Sequence, residues 1–203
     1  MTELERLRAE IAALKAERDI ARLQTAYGYY VDKAQWDEAA DLFAREATLE
    51  IAARGQYRGQ ERIRAYLHAL PALKYGTVFN HMQLQPLITL AEDQRSAKGR
   101  WRAIIEVGFV GREELCGEAT YENEYVIEDG VWKIAVLHCF VTYYVRWNQG
   151  WSQGAVPMGT AFEHFPPDAP QTVDYRSFPD VFIPPYHYPN PVTGKQWIQE
   201  KTP

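Results

Sequence analysis

Four long segments in the middle of the chain are rich in β-branched and aromatic residues and are separated only by short connections. They cover residues 77–90, 96–110, 119–128 and 131–145. The last two are joined by Glu128-Asp129-Gly130, which is typical of a tight hairpin. Consecutive strands with short connections pair antiparallel. The sequence therefore predicts one antiparallel sheet as the dominant element of the fold.

The first 70 residues show helical patterns instead. Apolar residues recur every three or four positions, which predicts a first helix from Met1 to about Ala34. These residues are Leu4, Leu7, Ile11, Leu14, Ile20, Leu23, Tyr27 and Tyr30. A second helix over 36–43, a short strand over 47–53 and a third helix over 60–70 follow, the last ended by Pro71. The order indicates an α+β fold in which a curved antiparallel sheet packs on three N-terminal helices and leaves a conical cavity.

The C-terminal segment, residues 146–203, contains most of the 12 prolines together with many aromatic residues. Proline is incompatible with helix interiors and central strands, whereas disordered segments are normally poor in aromatic residues. We therefore expect two parts: a cone domain over 1–145, with a helical arm over 1–18, and an ordered tail over 146–203 that wraps this domain or a neighbouring subunit. The alternative is a disordered extension.

Composition restricts the class of protein. A chain of 203 residues with 46% apolar and 24% charged residues is typical of one globular domain. Its net charge of −5 argues against nucleic-acid binding, and the two cysteines give no disulfide or metal pattern. No membrane segment or leader is evident, so we expect a cytoplasmic protein. The heptad-like arm and aromatic tail favour a homo-oligomer, a dimer or a trimer.

Aromatic residues make up 13% of the chain, which suits either a pocket for a small aromatic ligand or ordinary core packing. At the end of the first helix, Asp32 lies three residues after Tyr29 and four before Trp36, so the three side chains are predicted to share one face. A carboxylate against rings loses solvation and gains basicity, which makes Asp32 a candidate general base. The alternative is an Asp that caps the following helix.

His81 lies inside an apolar strand, where it is either a satisfied core histidine or, if it faces the cavity beside Asp32, a proton-transfer group. On the next strand, alternation places Arg100, Arg102 and Glu106 on one face and Trp101 on the other. We expect the arginine face to point inward, where a guanidinium needs a carboxylate, a phenolate or a ligand as its partner. The alternative is that Trp101 faces the core and both arginines are solvated. Three residues share a face of the following strand and are candidate substrate contacts. They are Tyr121, Asn123 and Tyr125.

The sequence contains no phosphate loop, dinucleotide fingerprint, nucleophile elbow or zinc-protease motif, so it predicts no cofactor and no metal. Several stretches nevertheless resemble the nuclear transport factor 2-like superfamily, in its SnoaL-like branch. They are residues 27–37 (YGYYVDKAQWD), 47–51 (ATLEI), Asn80-His81-Met82 and the hairpin from 121–125 (YENEY) to 130–134 (GVWKI). The resemblance covers roughly residues 18–145 and implies a cone-shaped fold.

Within that superfamily, Asp-x-x-x-Trp-Asp and a His on the following long strand are similar to scytalone dehydratase. The resemblance implies that Asp32 and His81 perform the acid–base elimination of water. The second catalytic His of that family falls near Glu106 and a cavity leucine falls on Arg102, so the sequence departs from the dehydratase pattern there.

The whole chain, including its tail, resembles most closely the cofactor-free lyases that act on lignin-derived diarylpropanes and release formaldehyde to leave a stilbene. This implies roles for Arg102 and Tyr29 in stabilising a phenolate, and Trp36, Trp101, Tyr121 and Tyr125 as ring contacts. Two alternatives stay open. One is a dehydratase or isomerase acting on a hydroxylated ring system, and the other is a binding domain without catalysis.

Overall fold

The computed structural model describes residues 2–198. It contains α1 (Glu3–Asp32), α2 (Trp36–Asp41), β1 (Phe43–Ile51), β2 (Gln56–Arg58), α3 (Gln60–His68), β3 (Thr77–Leu90), β4 (Ser96–Phe109), β5 (Glu113–Glu128), β6 (Val131–Arg146) and a short 3₁₀ helix (Trp151–Gln153). The predicted α+β fold, with three helices on a curved sheet, is confirmed. The predicted start at Met1 and the end of the tail, 199–203, lie outside the described residues.

The six strands form one sheet in the order β2-β1-β6-β5-β4-β3. The four long strands pair antiparallel as predicted, whereas β1, at the other end of the sheet, runs parallel to β6. Strand β2 was not predicted, and β5 begins six residues before its predicted start at Ala119. The early part of β5 is acidic and contains Gly117, yet its ladders with β4 and β6 hold it extended.

Irregular pairing bends the sheet into a cone. The β3–β4 register shifts between Leu84 and Leu87, where Gln85 has a positive φ of 50° and precedes Pro86. Two further shifts interrupt the β5–β6 ladder. Bulges of this kind increase local twist and bend the strand that carries them. The long strands therefore curve around the helices instead of forming a flat layer.

Helix α1 lies on the concave face of the sheet, against β3. Its buried stripe is Ala16, Ile20, Gln24, Tyr27, Gly28 and Val31. A Cβ at position 28 would lie 2.9 Å from Cγ of Gln83 and 3.1 Å from the carbonyl oxygen of His81. Glycine at this position thus allows the helix to approach β3 directly beside His81.

The first part of α1 extends beyond the sheet. A capping box between Thr2 and Glu5 begins the helix, and the predicted apolar positions Leu4, Leu7 and Ile11 are exposed. The predicted homo-oligomer, which would cover these side chains, stays a prediction. No helix among residues 2–198 is long and apolar enough to cross a membrane.

The tail packs on both sides of the cone. Its first part, with Met158, Phe162 and Phe165, covers the core beside α3 and β2. The backbone amide of Gln56 then donates to the carbonyl of Ala169 at 2.9 Å, and the chain passes to the convex face of the sheet.

On the convex face the tail covers polar side chains of β1, β6, β5 and β4 in turn. Thr172 binds the buried carboxylate of Glu50, with Oγ1 2.9 Å from Oε2. Further along, Glu122 lies between Arg100 and His187, at 2.6 Å and 2.9 Å. Both faces of the sheet are therefore partly buried.

Candidate active site

Asp32 and His81 meet where the C-terminus of α1 crosses β3. Oδ1 of Asp32 accepts a 2.5 Å hydrogen bond from the backbone N–H of His81 and lies 3.5 Å from Nδ1 of the same residue. The two side chains are 14% and 13% exposed. The structure therefore brings together the two residues that the sequence marked for acid–base chemistry, in a part-buried position.

Two aromatic rings form the wall beside this pair. The centroid of the Phe79 ring lies 4.4 Å from that of His81, and Trp36 meets Phe79 edge-on at 6.4 Å. Trp36 is buried and belongs to the core. It begins α2 whereas Asp32 ends α1, so the predicted common helical face of these two residues is not formed. The imidazole is thus held between a carboxylate and an apolar wall.

This geometry determines which ring nitrogen faces which group. Nδ1 of His81 is buried and makes no hydrogen bond within the described residues, and the Asp32 carboxylate is the acid that lies closest to it. A proton on Nδ1 is favoured by the carboxylate, which leaves Nε2 with a lone pair. Such an imidazole accepts a proton at Nε2 while the carboxylate stabilises the resulting cation.

A column of buried phenols continues inward from the pair. Burial raises the pKa of Tyr27, and the nearby Cys139, Tyr66 and Asp32 reinforce the rise. Burial also raises the pKa of Tyr121 and, to about 12, that of the Cys139 thiol. These groups are therefore neutral near pH 7. Tyr121, a candidate substrate contact in the sequence, is therefore one of these buried phenols.

The other three predicted contacts form a hydrogen-bonded network on the concave face. Nε1 of Trp101 donates to the Tyr125 hydroxyl at 2.8 Å, and this hydroxyl donates to Oε1 of Gln24 at 2.8 Å. Nδ2 of Asn123 donates to the same Gln24 oxygen at 3.0 Å. All four side chains are buried. Their polar atoms satisfy one another, which makes this network part of the core.

The prediction that Arg102 faces the cavity is wrong. Its side chain is 57% exposed on the convex face, with Nε 3.7 Å from Glu118, while Trp101 points inward. Glu106 is on the same outer face, where it accepts a hydrogen bond from Nδ2 of Asn80 at 3.2 Å. Neither side chain shares a face with Asp32 and His81.

Tyr29 also lies outside the site, since it is 69% exposed. Asp32 is at the edge of the buried stripe of α1, four residues after Gly28. Tyr29 is one residue after Gly28 and is therefore rotated by about 100° from it, toward solvent. Spacing alone placed Tyr29 near Asp32, but on the wrong side of the stripe.

Sequence reasoning missed Arg54, the arginine that does lie against the interior. It follows β1, and its Nη1 donates to the Tyr66 hydroxyl at 2.8 Å. The tail residue Phe162 lies under its guanidinium, 5.0 Å from the ring centroid. No local sequence pattern predicts that Arg54 is covered, because Phe162 follows it by more than 100 positions.

An open cavity of about 670 Å³ lies at the β4–β5 turn, between Gly76 and Trp147. Its wall includes Val107, the cross-strand neighbour of Phe79. The cavity therefore adjoins the aromatic wall of the Asp32–His81 pair, although neither of those two residues lines it.

Fold and site together define a cone-shaped α+β domain with an Asp–His pair where its first helix ends. The chain belongs to the SnoaL-like domain family, which matches residues 12–138. The predicted SnoaL-like branch is thereby confirmed. No curated protein matches the sequence, so the narrower resemblance to diarylpropane lyases stays a prediction.

Solved structures with the same fold include a candidate scytalone dehydratase from Novosphingobium aromaticivorans DSM 12444. It is 17% identical with a TM-score of 0.62, over 76% of this chain and 97% of its own. The LinA-type3 hexachlorocyclohexane dehydrochlorinase of Novosphingobium barchaimii LL02 is 21% identical with a TM-score of 0.61, over 73% of this chain and 99% of its own. At these identities the likeness shows the fold.

Proposed function

We propose that this protein is a lyase in which His81 transfers protons and Asp32 orients and stabilises its imidazole. The proposal rests mainly on the position of Oδ1 of Asp32. This oxygen accepts a hydrogen bond from the backbone N–H of His81 and also faces Nδ1 of its ring. The contact fixes the ring and directs Nε2 away from the carboxylate. A positioned group of this kind contributes about 10²–10⁴-fold to the rate.

Two structural neighbours bear names that fit elimination. One is named for the removal of water and the other for the removal of hydrogen chloride. Both reactions break a bond to a leaving group while a base takes a proton. The Asp32–His81 pair has the groups that such a reaction needs.

For the substrate we propose a phenolic, lignin-derived diarylpropane diol with a benzylic hydroxyl and a neighbouring CH₂OH group. Protonated His81 donates to the benzylic hydroxyl, and water leaves as the phenolate ring supplies electrons to form a quinone methide. Neutral His81 then accepts the proton of the CH₂OH group. The C–C bond breaks, formaldehyde departs, and the electron pair restores the phenolate of a stilbene.

One residue, His81, performs both proton transfers of this reaction. His81 gives one proton to the leaving hydroxyl and recovers one from the CH₂OH group, while the substrate ring holds the electrons between the steps. The rings of Phe79 and Trp36 are the apolar wall beside the imidazole. No cofactor is needed, because the oxidation states change only within the substrate.

The test is the mass of the product formed from an erythro phenolic diarylpropane-1,3-diol. Loss of water together with formaldehyde supports the lyase. Loss of water alone indicates a dehydratase, and an unchanged mass with a new retention time indicates an isomerase. Binding without any product indicates a non-catalytic domain and contradicts the proposal.

A further inference from the structure

Arg54 is a part-buried cation, with its Nε buried, that has no acidic partner among the described residues. Its guanidinium makes no ion pair with Asp or Glu in the described part of the chain, whereas seven other arginines do. Its one side-chain hydrogen bond among residues 2–198 is the 2.8 Å contact from Nη1 to the Tyr66 hydroxyl. A buried charge without a counterion is costly, and proteins keep one where it binds something.

The groups around Arg54 do not neutralise it. Burial raises the pKa of Tyr66, and the rise persists although Arg54 opposes it. Burial likewise raises the pKa of Tyr144 and Cys139, both of which lie within electrostatic range of the guanidinium. At neutral pH these three groups are uncharged. Arg54 thus carries its full positive charge into an apolar and phenolic surrounding.

One edge of the guanidinium is unused. Nε is buried and makes no hydrogen bond within the described residues. The tail residue Gly159 faces this edge, because a Cβ at position 159 would lie 3.2 Å from Nη2 and 3.3 Å from Nε. In any other residue, the Cβ atom would occupy the position where a hydrogen-bond acceptor for both nitrogens could lie. Glycine therefore leaves the Nε–Nη2 edge less covered than any other residue would.

We propose that Arg54 binds the phenolate oxygen of the substrate through its Nε–Nη2 edge. An oxygen in the plane of a guanidinium accepts from both N–H groups on one edge, which suits a single anionic oxygen. The proposal rests on the proposed function, since it assigns to Arg54 the charge stabilisation that the quinone-methide route requires. Binding of the oxygen moves the tail at Gly159 outward.

The phenol column connects this arginine to the Asp32–His81 pair. Tyr27 lies within electrostatic range of both Asp32 and Tyr66, and Tyr66 holds Arg54. In the proposed complex, the substrate lies alongside these phenols with its phenolate at Arg54 and its alcohol at His81. Such an arrangement selects substrates that carry a free phenol at a distance from the reacting carbon.

A spectroscopic titration tests the proposal without turnover. The probe is 4-nitrophenol, which titrates near neutrality and absorbs visible light only as the phenolate. An adjacent guanidinium favours the charged form, so the pKa of the bound phenol is lowered by about one unit or more. Arg54→Met removes the shift. Gly159→Ala, which keeps the charge but fills the space before the edge, removes most of the shift.

Arg102→Met is the matched control, because it removes an arginine from the convex face; it leaves the shift intact. His81→Ala abolishes turnover under the proposed function and also leaves the shift intact, which separates the two claims. A wild-type protein that does not lower the pKa of the probe, or a shift that survives Arg54→Met, overturns the assignment. Thermal melts show that each variant is folded.

Discussion

Oδ1 of Asp32 lies 2.5 Å from the backbone nitrogen of His81 and 3.5 Å from Nδ1 of its ring. One oxygen thereby holds the strand against the end of α1 and faces the imidazole. Because the backbone contact does not depend on the protonation of the ring, it holds the carboxylate in place in either state of the imidazole. This arrangement is the basis of the proposed chemistry.

Asp32→Asn is expected to lower kcat at least about a hundredfold, because an amide accepts the backbone hydrogen bond but does not stabilise an imidazolium. The initial rate of stilbene formation, followed by near-ultraviolet absorbance, measures the change. Asp37→Asn is the matched control, since Asp37 lies 3.1 Å from Nε2 of His68 on the exposed surface. A near-native rate in Asp32→Asn, or an equal loss in Asp37→Asn, refutes the role of Asp32.

Arg102→Met is expected to leave kcat/KM within about threefold of wild type. Its side chain is exposed on the convex face, and exposed ion pairs such as that with Glu118 contribute little. Steady-state kinetics with the diarylpropane diol measure the ratio. A loss of a hundredfold or more would show that the outward orientation is not the one that functions.

Tyr125→Phe is expected to destabilise the fold by about 1–3 kcal/mol, because Nε1 of Trp101 and Oε1 of Gln24 each lose a buried partner. Urea unfolding at equilibrium measures the free energy. Tyr29→Phe, the same change at an exposed position, should stay within about 0.5 kcal/mol of wild type. Equal stability of the two variants would contradict the network.

His138→Gln is expected to weaken the acid sensitivity of the fold. Burial lowers the pKa of His138 below its ordinary 6.5 and outweighs the opposing effect of Glu50. The unfolded chain therefore takes up a proton more readily than the folded one, so stability falls as pH drops below about 6.5. The free energy of unfolding of wild type should decline more between about pH 7 and pH 5 than that of the variant. An equal or steeper decline in the variant would contradict this assignment.

Much of the fold was predictable because its signals are local. Strand β3 has the bounds that its β-branched and aromatic run predicted, and Asp32 and His81 lie where the first helix and that strand meet. The bounds of β5 were missed at its start, since pairing with neighbouring strands, and not residue preference, keeps residues 113–118 extended.

The orientation of β4 was predicted wrongly although its alternation carries a signal. The face with Arg102 also carries Arg100 and Glu106, whereas the face with Trp101 is apolar. Directing the charged face inward inverts the whole strand. Cover by the tail, which follows more than 100 residues later, leaves no local pattern and hides Arg54 from sequence reasoning.

The position of Gln24 in the sequence indicates a buried polar network. It lies four residues after Ile20 and four before Gly28 in the buried stripe of α1, where a polar side chain needs partners. Its partners come from β3 and β5, through Gln83, Asn123 and Tyr125. A polar residue in an apolar stripe therefore marked the inner network, although not the residues that complete it.

The most direct test of the central claim is a parallel assay of formaldehyde and stilbene, with wild type and His81→Ala each incubated with the erythro phenolic diarylpropane-1,3-diol. The account predicts equimolar formaldehyde and stilbene from wild type, and at least about a hundredfold slower release from the folded variant. No formaldehyde from wild type, or equal rates from the two proteins, would contradict it.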